Sequence, residues 1–459
     1  MKSMYSIQET RIGKAISLLN GFIILGFSAT LISIPQAHWW FGLFALFAAV
    51  VACAVMAVYK KFSFGLNNDD YKLVAVLVFF GGIWWLSVFT DGSLPLIVDA
   101  GLRHLYLWPF IAALFLITLR VFTPAPDWLW LGVCCGGASA GLIAIYERVV
   151  IGLSRADNGI NAIPFGNLSL LMGALSLVAC VYYIQKRPRF HYGLILFAMC
   201  AAFLGLLASL LSGTRGGWIA IPFLVVLLFS ATNNLIKPKT RNISIIVVAL
   251  FVVAIIAFPA SGIWLRIVAI FDDIYQYFIN NNADTSLGTR FELWRAGWSM
   301  FIENPIMGVG ESGVQENLPS LVAREIAFER GSVLPQLHSD VIDTLARRGL
   351  LGAASLLLMY VGFASTFAKK ALRTNDKVNV RLLAVSGMMV IIAFFDFGLS
   401  QSMFRDLRAF SGFLGFSVAI WGCLGYRLKS QSFPSPSFSA KSSLVGASSS
   451  VVSPAPFGQ

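Results

Sequence analysis

Charge is scarce in this chain. Of 459 residues only 12% are charged, against roughly 25% in an ordinary soluble protein, while 57% are hydrophobic and mean hydropathy is +0.76. A soluble domain of this length cannot hide so much apolar surface, because surface area falls too slowly with size. The shortage excludes a soluble enzyme, a disordered chain and a collagen-like fibre. Histidine is scarce too, with four residues. The six cysteines (Cys53, Cys134, Cys135, Cys180, Cys200, Cys423) lie inside apolar runs, without CxxC spacing or a His or Asp cluster beside them. They read as small buried hydrophobes. A DxD-type pair is missing: Asp272 and Asp273 are adjacent, and helical neighbours point to different faces. No metal site and no cofactor are expected.

What the chain has is long apolar runs. About 20 helical residues cross a bilayer, and twelve such stretches recur, near 15–34, 39–59, 72–90, 102–122, 128–147, 164–184, 191–211, 216–235, 242–262, 349–368, 380–400 and 407–427. The first is longer than the apolar core of a signal peptide and counts as a helix. The expectation is an all-α polytopic membrane protein with about 12 transmembrane helices.

Basic residues orient it. With the N-terminus cytoplasmic, one side holds 21 of the 34 basic residues, including all 13 lysines. This positive-inside bias accounts for the net charge of +12 without any nucleic acid. The 13 basic residues of the other face are all arginines, whose planar, permanently charged fork suits phosphate. Compositional drift is the plainer explanation of that segregation.

The segments between spans are short except residues 263–338, which separate the ninth span from the tenth on the outer side. Trp264, Trp294, Trp298 and amphipathic runs predict a large, folded, helical periplasmic loop there. The organisation expected is thus 1–262 for nine spans, 263–338 for the loop, 339–429 for a lead-in helix with spans ten to twelve, and a Ser-, Pro- and Ala-rich disordered cytoplasmic tail over 430–459.

Candidate chemistry gathers on the outer face. His338, in Pro335-Gln336-Leu337-His338-Ser339-Asp340, stands at the mouth of a helix running to Arg348 and stopped by Gly349. A neutral imidazole there can take a proton from a sugar hydroxyl; by position alone a polar loop histidine is the plainer reading. His38, His104 and His191 sit at span ends and read as interfacial. Thr289 and Glu292 fit a capping box, which puts Arg290 in the first turn of a helix, where an anionic partner would make sense of it. Phe291, Trp294, Trp298 and Phe301 form a packing stripe behind it. Ser212-Gly213-Thr214-Arg215-Gly216-Gly217-Trp218 joins two spans; its glycines allow close backbone approach to a ligand, and Arg215 between apolar helices is a functional candidate or a snorkelling side chain. Glu147, Arg148, Arg155 and Asp157 are weaker candidates, Glu147-Arg148 reading as an ion pair. Asp396, inside an apolar run, needs a partner that Arg405 or Arg408 could supply; it is a substrate contact or a helix lock. Gly308-Val309-Gly310-Glu311-Ser312-Gly313 fits GxGxxG without a surrounding βαβ pattern and reads as a turn after Pro305.

Together the span layout, the single large loop, Ser212-Gly213-Thr214-Arg215, the run from Arg290 through Trp294 to Pro305-Ile306-Met307-Gly308-Val309-Gly310, and His338 with Gly349 behind it resemble the bacterial O-antigen ligase family of the O-antigen ligase and polymerase superfamily. Two positions depart from the family pattern: Ser339 stands where many relatives carry Asn, and Arg347-Arg348 where many carry an acidic residue before the glycine. The resemblance implies a membrane glycosyltransferase of lipopolysaccharide biosynthesis in the bacterial inner membrane, with both termini cytoplasmic. The donor would be a glycan on undecaprenyl pyrophosphate and the acceptor a hydroxyl of the lipid A–core oligosaccharide, transferred with inversion and without a metal. Arg215 and Arg290 would hold the pyrophosphate and His338 would activate the acceptor, with Arg148 and Asp396 as lesser substrate or structural residues. An O-antigen polymerase or a protein O-glycosyl ligase uses the same donor. A lipid-linked-glycan transporter without chemistry is the reading from another class, and a membrane scaffold the bland one.

Overall fold

The computed structural model describes residues 10–59, 65–90, 106–186, 192–232, 263–323, 336–373 and 378–430. The ninth expected span at 242–262, His104, His191 and nearly all of the 430–459 tail lie outside them. Among the described residues all regular structure is helical. In chain order the α-helices are α1 (Arg11–Thr30), α2 (Ala37–Val58), α3 (Asn68–Thr90), α4 (Leu107–Val121), α5 (Pro126–Ile145), α6 (Ala162–Lys186), α7 (Tyr192–Leu211), α8 (Ala220–Thr232), α9 (Ile263–Phe278), α10 (Ser286–Glu303), α11 (Gly313–Ala323), α12 (Asp340–Arg373), α13 (Val378–Ser400) and α14 (Leu407–Ser430). A π-turn (Tyr146–Ile151) extends α5, and 3-10 turns precede α8 (Gly216–Ile219) and α14 (Met403–Arg405).

Nine of these helices, among the described residues, are long and apolar enough to cross a membrane. The chain is a polytopic helical membrane protein. Leu107–Val121 and Gly216–Thr232 fall on the expected fourth and eighth spans and are apolar but shorter. One continuous apolar core runs through the bundle, centred on α6, α13 and α14, whose side chains are mostly buried. Small residues let the helices close up: a Cβ at Gly132 would lie 2.7 Å from the Leu25 carbonyl oxygen, so α1 and α5 touch backbone to backbone there.

The bundle has two chemically distinct ends. At one end Lys369 pairs with Asp69 at 2.9 Å and Arg120 with Asp70 at 2.7 Å, while Trp421 Nε1 donates to the same Asp70 carboxylate. These groups lie at the start of α3, the end of α4, the end of α12 and late in α14. The opposite ends of those helices and their neighbours carry the 146–162 connection, the 211–219 turn and the 401–406 turn. Part of the 263–338 segment packs onto that second end. Its own small core joins Leu293, Ala296 and Met300 of α10 to Leu318 and Leu321 of α11 and to Leu337 and Ala346 at the start of α12. The expected helices of this segment are therefore present among its described residues.

A broken helix organises this end. Gly349 has φ 57° and ψ −152° within α12, a conformation open to glycine and strained for other residues. The break frees backbone groups on both sides, and the Pro305–Gly310 segment takes them up. Val309 N–H donates to the Ala346 carbonyl at 2.8 Å and Gly310 N–H to that of Arg347 at 3.0 Å. In return Leu350 N–H donates to Pro305 at 2.8 Å and Leu351 N–H to Ile306 at 3.2 Å. The contact is so close that a Cβ on Gly308 would sit 2.3 Å from the Arg347 carbonyl carbon. The GxGxxG match is thus a docking strap for α12, and Gly349 ends the lead-in helix as expected, in a kink from which the next span starts at once.

Candidate active site

His338 sits immediately before α12. Its backbone is left-handed, with φ 53°, which costs a non-glycine residue about 1–2 kcal/mol. Anchors on either side hold it there. Leu337 N–H donates to Asp343 Oδ1 at 3.2 Å, and Ser339 Oγ faces Ile342 N–H at 3.5 Å as a long cap of the following turn. The imidazole Nδ1 lies 2.6 Å from Gln401 Oε1. Burial lowers the His338 pKa below the ordinary 6.5; Gln401 opposes the shift, the Arg290 charge adds to it, and Asp343 opposes it. At neutral pH the ring is therefore an uncharged base.

Arg290 reaches this neighbourhood from α10. The helix begins four residues earlier than the Thr289 pattern suggests: Thr285 is the cap, its Oγ1 accepting from Gly288 N–H at 3.0 Å. Arg290 accordingly stands in the second turn, and Glu292, instead of closing a capping box, accepts a hydrogen bond from the Tyr277 hydroxyl at 2.6 Å. The aromatic stripe packs as expected, Phe291 against Tyr277 and Phe278 of α9. Burial lowers the Arg290 pKa; Asp273 offsets that, and the like charge of Arg155 reinforces it. A half-buried guanidinium that also feels the like charge of a second arginine carries an electrostatic cost, which an anion bound beside the two would relieve.

Arg155 ties this group to the Ser212–Arg215 turn. Its Nε donates to the Ser212 carbonyl at 2.7 Å, and Nη2 lies 3.4 Å from Thr214 Oγ1. Thr214 Oγ1 in turn donates to the Ala162 carbonyl at 2.8 Å. Arg215 is exposed at the end of that turn. The glycines after it serve packing, contrary to the ligand approach expected for them: a Cβ on Gly216 would meet Ser400 Oγ at 2.2 Å, and one on Gly217 would meet Asn167 Oδ1 at 2.4 Å.

Arg148 and Asp396 have structural partners. Arg148 donates to the Leu153 carbonyl, while Glu147 Oε2 accepts from the N–H groups of Asp157 and Asn158 at 2.8 and 3.1 Å, so the expected Glu147–Arg148 ion pair is replaced by two loop-closing bonds. Asp396 pairs with neither Arg405 nor Arg408. Its Oδ2 accepts from Ala220 N–H at 2.9 Å, capping α8, and Arg408 Nε donates to the Pro35 carbonyl at 3.1 Å. A helix N-terminus with free N–H groups is the nearer partner for the carboxylate.

A buried charge network behind His338 has no counterpart in the sequence reading. Glu311, 13% exposed, bonds Arg348 and Arg405, and its backbone carbonyl accepts from Arg347. Arg347 also pairs with Asp343 at 3.0 Å, and Arg348 stacks on Trp84 at 3.8 Å from the ring centre. Burial would raise the Glu311 pKa, but Arg405, Arg348 and Arg347 overcome it and hold the carboxyl at about 2. The arginines that depart from the family pattern thus have an acidic partner, supplied from the strap.

An imidazole and several arginines thus gather at one end of a polytopic bundle of apolar helices. Residues 200–357 match the family model described as O-antigen ligase, a stretch that contains Arg215, Arg290 and His338. The chain is similar to an uncharacterized protein of Haemophilus influenzae, 25% identical over 421 residues that cover 90% of this chain and 100% of that protein. It is also similar to the O-antigen ligase of Escherichia coli K12, 28% identical over 209 residues, 44% of this chain and 47% of that one. These matches support the O-antigen ligase family and, with it, a membrane enzyme of glycan ligation.

Proposed function

We propose that the chain transfers a glycan from undecaprenyl pyrophosphate to a hydroxyl of the lipid A–core oligosaccharide on the periplasmic face of the inner membrane, with inversion and without a metal ion. The observation that carries this is the convergence of a neutral, half-buried imidazole with Arg290, Arg155 and the Arg215 turn at one end of the bundle. Arg215 and Arg290 bind the pyrophosphate, and their fixed positive charge stabilises the phosphate oxygens as they become the leaving group. His338 accepts the proton of the acceptor hydroxyl as its oxygen bonds to the anomeric carbon from the opposite face. The bond from that carbon to the pyrophosphate oxygen breaks, and its electron pair leaves with undecaprenyl pyrophosphate. The proton on His338 then passes to solvent, which restores the base. A lipid-borne donor fits the architecture: the polyprenyl chain stays in the bilayer while the pyrophosphate reaches the arginines.

The test is transfer by the purified full chain in nanodiscs, given undecaprenyl-pyrophosphate-linked glycan and lipid A–core in the presence of EDTA. Wild type should glycosylate the lipid A–core and His338→Ala should not. Longer lipid-linked chains without glycosylated core would instead identify a polymerase, and an intact donor under every acceptor would reject glycan transfer altogether.

A further inference from the structure

Gln401 follows α13 by one residue and is 1% exposed. Its Oε1 stands 2.6 Å from His338 Nδ1. An amide oxygen only accepts, so at this distance Nδ1 is the ring nitrogen that carries hydrogen. A neutral imidazole protonated at Nδ1 has its lone pair at Nε2. In water the opposite tautomer is the commoner one, so the protein has to impose this choice.

The surroundings of Gln401 are built to keep it in place. Its N–H donates to the Phe397 carbonyl at 3.1 Å, and its own carbonyl accepts from Met403 N–H at 2.9 Å. The turn that follows is clamped from both sides: Phe404 N–H donates to Asp340 Oδ1 at 2.9 Å, and Arg405 bonds Glu311. Asp340 and Asp343 belong to the helix that His338 precedes, and Asp343 also holds Leu337. Both partners of the His338–Gln401 bond are thus anchored by the same buried network, which lets the hydrogen bond persist against a left-handed backbone at His338.

We propose that Gln401 is a positioning residue that fixes His338 as the Nδ1–H tautomer and directs the Nε2 lone pair to the acceptor hydroxyl. The inference rests on the reading of His338 as the general base. A glutamine suits the task better than a carboxylate would. It selects the tautomer without adding negative charge, so the ring stays neutral beside Arg290 from α10 and Asp343 from α12. It does not touch substrate, and its effect passes entirely through His338.

The decisive measurement is nitrogen-15 NMR of the full chain in nanodiscs, labelled at its four histidines and assigned by comparison with His338→Ala. Wild type should show His338 protonated at Nδ1 at pH 8. Gln401→Leu should lose that preference, and its kcat should fall roughly 10- to 100-fold, with KM for the lipid-linked donor little changed. Gln401→Glu should keep the tautomer, raise the His338 titration by about one pH unit or more, and move the acid limb of kcat/KM upward with it. An Nε2-protonated His338 in wild type overturns the proposal, as does a Gln401→Leu variant with unchanged spectrum and kcat. Should Gln401→Leu fail to insert, an unmoved titration in Gln401→Glu overturns it alone. The spectra need no glycan, so they judge the tautomer; transfer by wild type judges the reading on which it rests.

Discussion

The proposed role of His338 as a base rests on a balance of neighbours. Burial and Arg290 disfavour its charged form, and Gln401 and Asp343 only partly restore it. A base whose pKa lies below the ordinary 6.5 stays competent to that lower value, so the acid limb of kcat/KM, which reports the free enzyme, should fall below pH 6.5. Arg290→Ala removes a charge that depresses this pKa and should move the limb upward in whatever activity remains. An Arg290→Ala limb at the wild-type position would remove the coupling. The sequence singles out His338 and Arg290 by their places near helix starts and Arg215 as a charge between apolar helices, while their proposed roles come from the family resemblance. Gln401 is not singled out, because a neutral amide in Leu399-Ser400-Gln401-Ser402 carries no mark of its partner 63 positions away. Asp396 misled for a related reason: its partner is a backbone N–H, which no side-chain pattern announces.

The decisive element is the broken helix α12 with the strap that docks on it. Gly308 is held at φ 70° against the Arg347 backbone, so Gly308→Ala should add strain of about 1–2 kcal/mol and a steric clash besides. The expected result is a lower Tm in nanodiscs together with lost transfer; a Tm equal to wild type would refute the docking role. Glu311 is the ionic half of the same contact. Removing its charge leaves Arg347, Arg348 and Arg405 buried, with Asp343 as the carboxylate still paired with Arg347 and Arg405, so Glu311→Gln should cost about 3–5 kcal/mol. Its carboxyl is held at about 2 when folded, below the ordinary 4.5, so its stabilisation is complete above pH 4.5 and is lost as pH falls from there through 2. Wild-type Tm should drop across that window more steeply than that of Glu311→Gln. Sequence reading found the helix and its glycine but not this network, whose members lie at 311, 343, 347, 348 and 405 and meet only in the fold. It also misplaced the start of α10, since both Thr285 and Thr289 offer a capping hydroxyl and only packing chooses between them.

At the scale of the whole molecule, charge separates the two ends. The Asp69–Lys369 and Asp70–Arg120 pairs mark one, and the arginine, histidine and glutamate groups of the site mark the other. In the proposed orientation, which follows the positive-inside rule, the lysine end faces the cytoplasm. In a chain whose native cysteines are replaced, Ser154→Cys should react with an impermeant maleimide on intact spheroplasts, and Asn68→Cys only after lysis. The reverse pattern would invert the topology and place the site in the wrong compartment for a lipid-exported donor. The bundle itself was legible because about 20 apolar residues per crossing leave few alternatives. The short helices Leu107–Val121 and Gly216–Thr232 show where that rule loosens: both are apolar, and each buries one face in the common core.

In the proposed mechanism, binding falls to the arginines and chemistry to His338. Binding of undecaprenyl pyrophosphate to the nanodisc-embedded chain, measured for wild type, Arg215→Ala, Arg290→Ala and His338→Ala, separates the two. The expected result is weakened binding in both arginine variants and wild-type binding in His338→Ala, which nonetheless transfers no glycan. Wild-type binding by the arginine variants, or lost binding in His338→Ala, would contradict it.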